Sequence, residues 1–150
     1  MYNKFRRGGG PGMEQLLATF HSLNGELNKI HKEACTDVSV QQSTIMHEIQ
    51  SRNEPSMQET ARGLGMDITT FSRQVQTLVN GGYVKRRPYP GDRRIQILSL
   101  TDKGSKKVKQ IDEKILEQMN EALVSMGEFE QEIIVRSLRQ MHRILGGDVN

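Results

Sequence analysis

The sequence predicts a mainly α-helical chain carrying one small β-hairpin, and three observations support that class. Apolar residues recur at steps of three and four over most of the 150 residues. Capping segments, Ser39-Val-Gln-Gln42, Ser56-Met-Gln-Glu59 and Ser125-Met-Gly-Glu128, punctuate that pattern. Residues 83–100 alone switch to strand-type alternation around Pro90-Gly91-Asp92.

Residues 1–12 combine Lys4, Arg6, Arg7, three consecutive glycines, Pro11 and Gly12, the composition of a flexible basic arm. Helical spacing starts at Met13 and continues through Leu16, Phe20, Leu23, Leu27, Ile30 and Ala34, one apolar stripe over about six turns. The box at Ser39 opens a second helix with Ile45, Met46 and Ile49, ending near Asn53. Ser56 and Glu59 open a short third helix that stops at Gly63-Leu-Gly65. Ala61 and Gly65 suit close helix packing and a sharp turn, with a positive φ expected at 65.

Asp67 caps a fourth helix, with Phe71, Val75, Leu78 and Val79 on one side and Gly81-Gly82 as its stop. Strands over 83–87 and 94–100 follow, Ile95 and Ile97 alternating with Gln96, and the prolines place their turn at an exposed tip. After Thr101 a long helix carries Val108, Ile111, Ile115, Met119, Ala122 and Met126, the spacing of a packing seam. The Ser125 box, with Val124 and Phe129 as a hydrophobic staple, opens the last helix through Ile133, Ile134, Leu138, Met141 and Leu145.

The length fits one domain, 13–150. Aromatics make up only 5% and Trp is absent, so an aliphatic, Met-rich core is expected. No run approaches the roughly 18 apolar residues of a membrane span, and the N-terminal stretch lacks the apolar middle of a secretory signal. A cytoplasmic location without membrane contact follows as the expectation. Cys35 is the only cysteine, which excludes an internal disulfide or a cysteine-based metal cluster within one chain.

Charge is placed unevenly. The chain carries +3 in total, yet Lys85, Arg86, Arg87, Arg93 and Arg94 with Asp92 put +4 on residues 84–94. A polyanion partner at the hairpin is implied. Helix, turn, helix, basic hairpin is the order of a winged helix-turn-helix, with 39–100 as the DNA-binding part. On a helical wheel Thr69, Arg73 and Gln76 lie opposite Phe71, Val75 and Leu78, with Ser72 at the border and Thr70 beside the cap. These residue types suit the major groove: Arg pairs with guanine, Gln with adenine, and Ser or Thr touches phosphates or thymine methyls. A hairpin arginine beside such a helix would enter the adjacent minor groove.

The run Asp92-Arg-Arg94, then Ile95-Gln-Ile-Leu-Ser-Leu100-Thr101-Asp-Lys-Gly104, resembles the D-x-R…L-T-x-x-G wing of the multiple antibiotic resistance regulator (MarR) family of bacterial transcription factors. The resemblance extends over about residues 13–145. It implies a homodimer of six-helix winged helix-turn-helix subunits joined through their N- and C-terminal helices, 13–36 and 101–146. It also implies a pseudopalindromic double-stranded DNA operator and release by a small-molecule effector or an oxidant, the pattern of a repressor. By position, Arg94 resembles the minor-groove arginine and Asp92 the acid that holds it by an ion pair, while Arg86, Arg87 and Arg93 suit phosphate contacts. The apolar seams of the first and fifth helices independently point to a dimer, since three short helices cannot cover both.

Cys35 is a candidate thiol switch, although the peroxide-sensing branch resembles a different pattern, with its cysteine near the start of the first helix. Phe20, His21, Met46 and His47 are candidates for an effector pocket. The zinc-sensing pattern of paired histidines on the fifth helix is missing from 101–126, so no metal and no cofactor is expected. No phosphate loop, nucleophile–base set or carboxylate pair marks an enzyme. Two alternatives accompany the ligand-released repressor: a regulator switched through Cys35, and a winged-helix module whose basic hairpin binds an acidic protein.

Overall fold

The computed structural model describes residues 12–146, so the arm expected at 1–12 lies, apart from Gly12, outside the described residues. Its elements are α1 (Met13–Ala34), α2 (Val40–Arg52), α3 (Met57–Gly63), α4 (Ile68–Asn80), β1 (Val84–Tyr89), β2 (Asp92–Leu100), α5 (Asp102–Val124) and α6 (Glu128–Ile144). The six helices and one antiparallel hairpin have the predicted order. They form two compact units, one ending at Glu113 and the other starting at Lys114, within α5.

Local chemistry sets the helix starts of the first unit. Ser39 Oγ accepts the N–H of Gln42 while Gln42 Oε1 accepts the N–H of Ser39, both at 3.1 Å. Ser56 and Glu59 repeat this reciprocal pair at 3.2 and 2.8 Å, and Asp67 Oδ1 accepts the N–H of Thr70 at 2.9 Å. Each bond satisfies an amide that the first helical turn leaves unpaired. Between α3 and α4, Gly65 has φ +62, the left-handed turn that the sequence calls for there.

The core of this unit joins α2, α4 and the hairpin. Ile45, Met46, Phe71, Val75 and Leu98 are fully buried, with Ile49, Leu78, Val84, Val108 and Ile111 nearly so. It is aliphatic, as expected, but not Met-rich: among the described residues Met46 is the only buried methionine. The other described methionines are exposed or half-buried, and the sequence pattern alone does not distinguish them from core positions.

The hairpin departs from strict alternation. Ile97 and Leu98 are both buried, while Ile95 stays 41% exposed. The cause is a second neighbour for β2: Ser56 bridges Ile97, and the N–H of Leu98 donates to Pro55 O at 2.8 Å. Both edges of β2 are therefore paired at its inner end, where Ile97 and Leu98 are buried on opposite faces. The outer part reaches further than expected, to Tyr89 and Asp92, with Pro90-Gly91 alone at the tip and an irregularity between Pro88 and Tyr89. Pro88 has no N–H for the ladder, which places it where β1 is exposed.

The expected start of α6 is also corrected. Ser125 does not cap it; its hydroxyl donates to Ala122 O at 2.8 Å. The cap lies two residues on, where the N–H of Gly127 donates to Glu130 Oε2 at 2.9 Å. Gln131 Nε2 reaches back to the carbonyls of Leu123 and Met126 at 3.0 Å each, closing the α5–α6 turn. Val124 and Phe129 are 71% and 73% exposed, so they form no staple. A glycine cap has no side-chain signature, whereas Ser125-x-x-Glu128 mimics one.

Candidate nucleic-acid interface

The fourth helix presents the polar face that its wheel predicts. Phe71, Val75 and Leu78 are buried, Thr69, Thr70, Arg73 and Gln76 are exposed, and Ser72 is half-buried. Gln42 on α2 donates through Nε2 to Gln74 Oε1 at 3.2 Å, tying the two helices beside that face. Ile68 continues the apolar stripe by angle but is 48% exposed, because the first turn of α4 extends beyond the core.

The hairpin arginines divide into two groups. Arg86 Nη2 donates to Gln76 Oε1 at 3.0 Å, and Gln76 Nε2 donates to Asn80 Oδ1 at 2.9 Å. Arg87 Nη2 meets Glu54 Oε2 at 2.7 Å, an ion pair exposed on both sides. Glu54 sits after α2 with φ 60, next to Asn53 with φ 51, so a strained turn delivers its carboxylate to β1. Lys85, Arg93 and Arg94 are exposed, and among the described residues their side-chain cations make no ion pair. Glu54 and Asn80 were not singled out by the sequence reading, since a turn carboxylate and a helix-end amide show their partners only in three dimensions.

Asp92 does not hold Arg94 by an ion pair in this structure. Its Oδ1 accepts the backbone N–H of Arg94 at 2.9 Å, a turn-forming bond that shapes the tip and leaves the guanidinium unengaged by it. Tyr89 packs its ring against Gly91 across the same tip.

The inner end of the hairpin is locked by the Thr101-x-x-Gly104 part of the motif. Thr101 Oγ1 lies 2.6 Å from Gly82 O and 3.2 Å from Tyr83 O, and it accepts the N–H of Gly104 at 3.0 Å. Lys103 Nζ donates to Gly81 O at 2.7 Å and lies 4.3 Å from the centre of the Tyr83 ring. The Tyr83 hydroxyl donates to Asp37 Oδ2 at 2.7 Å, and Lys107 Nζ pairs with Asp37 Oδ1 at 2.5 Å. Lys107 first, then Tyr83 and Thr36, hold the Asp37 carboxyl well below the usual carboxylate range, while the bond to Asp37 raises the Tyr83 phenol.

The pocket candidates do not form one lining. Met46 is 0% exposed and belongs to the core, while Phe20, His21 and His47 are on the outside of their helices. A burial-favoured role falls instead to His31, whose Nε2 lies 2.9 Å from Ser43 Oγ and joins α1 to α2. Burial lowers its pKa; Asp112 opposes that shift and His47 adds to it. Cys35 is half-buried at the C-terminal cap of α1, its N–H donating to His31 O at 3.1 Å. Among the described residues no cluster of three or more His, Cys, Asp or Glu is placed to hold a metal, and no helix is long and apolar enough to cross a membrane.

Capped α3 and α4, a sharp turn between them and a basic hairpin fixed behind α4 define a winged helix-turn-helix protein. Residues 36–95 match the MarR family model. The uncharacterized HTH-type transcriptional regulator YdgJ of Bacillus subtilis strain 168 is 26% identical over 136 residues, covering 84% of this chain and 83% of that protein. Among solved structures, a MarR family protein from Bacillus stearothermophilus superposes with a TM-score of 0.81 at 16% identity, over 88% of this chain and 94% of that one. A mutant MarR from E. coli, complexed with operator DNA, gives 0.70 at 21% identity, over 84% and 92%. The chain is thus similar to the MarR family over residues 36–95, and over 84% of its length to an HTH-type transcriptional regulator.

Proposed function

We propose that the protein is a sequence-specific, double-stranded DNA-binding repressor that acts in the cytoplasm as a homodimer on a pseudopalindromic operator and is released by a small-molecule ligand. The observation that carries this reading is the polar face of α4, with Thr69, Arg73 and Gln76 exposed, flanked by a hairpin whose Arg93 and Arg94 side chains are unpaired among the described residues. A face of this kind reads bases while the hairpin cations supply affinity and minor-groove contact. Two relatives support the DNA partner: the mutant MarR complexed with operator DNA, and a mutant S. aureus MepR bound to an oligodeoxyribonucleotide.

The homodimer is supported by apolar side chains left open along the terminal helices. On α1, Met13, Leu17, Phe20, Leu23 and Leu27 are 36–56% exposed, and on α6 Phe129, Ile133, Leu138 and Ile144 are 47–75% exposed. Stripes this long on a water-facing helix are the signature of a protein interface. Release by a ligand rests on the family resemblance alone.

Fluorescence anisotropy with DNA from upstream of the protein's own coding sequence, against scrambled DNA at two salt concentrations, tests the reading. Tight selective binding that weakens with salt, by a slope of about −0.9 per neutralised phosphate, is the expected result. Equal weak binding to both duplexes would reject it.

A further inference from the structure

We propose that Arg86 is a specificity residue that acts through Gln76, setting which base the recognition helix prefers rather than anchoring a phosphate. The inference rests on the DNA-reading function above and on a relay of three side chains: Arg86 Nη2 donates to Gln76 Oε1 at 3.0 Å, and Gln76 Nε2 donates to Asn80 Oδ1 at 2.9 Å.

Arginine has no acceptor, so whichever end of an amide faces Arg86 must be the oxygen. That fixes Gln76 in one of its two amide orientations, and Asn80 reinforces the choice by accepting from the nitrogen. The relay also leaves the amide usable. A primary amide has two lone pairs on oxygen and two hydrogens on nitrogen, and Arg86 and Asn80 take one of each. One acceptor and one donor remain, the complement of the adenine major-groove edge, with its N6 donor and N7 acceptor.

A glutamine left free on a helix surface would rotate about its terminal torsion and offer either orientation to a base. Holding it before DNA arrives removes that freedom and the matching entropy loss on binding, and it disfavours bases that need the reversed pattern. The neighbouring Arg87 supplies the contrast, since it is one residue along the same strand and turns to Glu54 instead. Two adjacent arginines on β1 thus have different tasks: Arg86 addresses α4 and Arg87 addresses the turn after α2.

Selection from a randomised duplex library, with the full-length protein and with Gln76→Ala, Arg86→Ala, Asn80→Ala and Arg87→Ala, tests this. Thermal melts of each variant accompany the selection, and all four sites are exposed. The expected result is that Arg86→Ala and Asn80→Ala relax preference at the same base position that Gln76→Ala relaxes, by about fivefold, the lower end of a bidentate base contact. Arg87→Ala should keep the wild-type motif, and Arg86→Ala should leave the salt slope within about 0.5 of wild type, where loss of a phosphate contact would change it by nearly one. A wild-type motif in Arg86→Ala, with a salt slope lowered by about one, would overturn the proposal while leaving the DNA-reading function intact. Failure of the unaltered protein to enrich any motif would overturn both.

Discussion

Gly104 lies directly against the carbonyl of Tyr83. A Cβ at position 104 would stand 2.1 Å from that oxygen and 3.0 Å from the carbonyl carbon. The contact belongs to the junction where α5 leaves the hairpin, and both neighbours are backbone, which cannot swing aside as a side chain would. Thr101 closes the junction from the other side through Gly82 O and the N–H of Gly104.

Gly104→Ala should therefore destabilise the fold. Its higher helix propensity favours alanine by less than about 1 kcal/mol, while forced backbone displacement costs on the order of 1–3 kcal/mol. A lower urea midpoint with an unchanged slope is the expected result. An equal or higher midpoint would mean that the junction is looser than this geometry implies.

Asp37 gives stability a defined pH window. Lys107 and Tyr83 depress its pKa, so the folded state keeps the charge where the unfolded chain starts to bind a proton. The contribution is present above the ordinary carboxylate range near pH 4 and is lost progressively as pH falls below it. Because the side chain is 50% exposed, solvent screening limits its worth to about 1 kcal/mol. Asp37→Ala should lose that amount at pH 7, and the gap from the unaltered protein should narrow between about pH 4 and pH 2. Chemical unfolding at both ends of that range checks it, and a gap of constant size would remove ionisation from the account.

The sequence made the reading head legible because its signals are local. Ser39, Ser56 and Asp67 announce their helices by spacing, and the α4 wheel assigns Phe71, Val75 and Leu78 to the core correctly. What it could not show is which long side chains meet across elements. Arg86 and Arg87 are equivalent on a strand read alone, and only the positions of α4 and of the turn after α2 distinguish them. The role of Asp92 was obscured similarly, since a carboxylate two residues from an arginine can bind either its guanidinium or its amide. At α6, a glycine cap gave no side-chain signal to compete with the false one at Ser125.

Asp92 and Arg94 can be separated by substitution. Arg94→Ala should cost about 1–3 kcal/mol of DNA affinity, as single groove contacts do. If Asp92 shapes the tip by accepting the Arg94 N–H, Asp92→Asn keeps an acceptor there and should bind DNA close to wild type, while Asp92→Ala weakens binding several-fold. Anisotropy titrations of the three variants decide this. Equal losses in Asp92→Asn and Asp92→Ala would show that charge on Asp92 matters, which would restore the ion-pair role.

Glu54 should act as a restraint on DNA affinity. Its carboxylate holds Arg87 at 2.7 Å and adds a negative charge beside β1, where a phosphate backbone would approach. Exposed pairs of this kind contribute only about 0–1 kcal/mol to the fold, so removing one is tolerated. Glu54→Gln would release the Arg87 fork and lift the local repulsion. Binding to operator and to scrambled duplex should then tighten together by a few-fold, because the gain is in phosphate contact, and the salt slope should steepen by up to about 0.9 for the added contact. Titration of both duplexes across a salt series measures each quantity. Unchanged affinity on both would place Arg87 outside the DNA contact surface and confine the Glu54 pair to positioning β1 against the turn after α2.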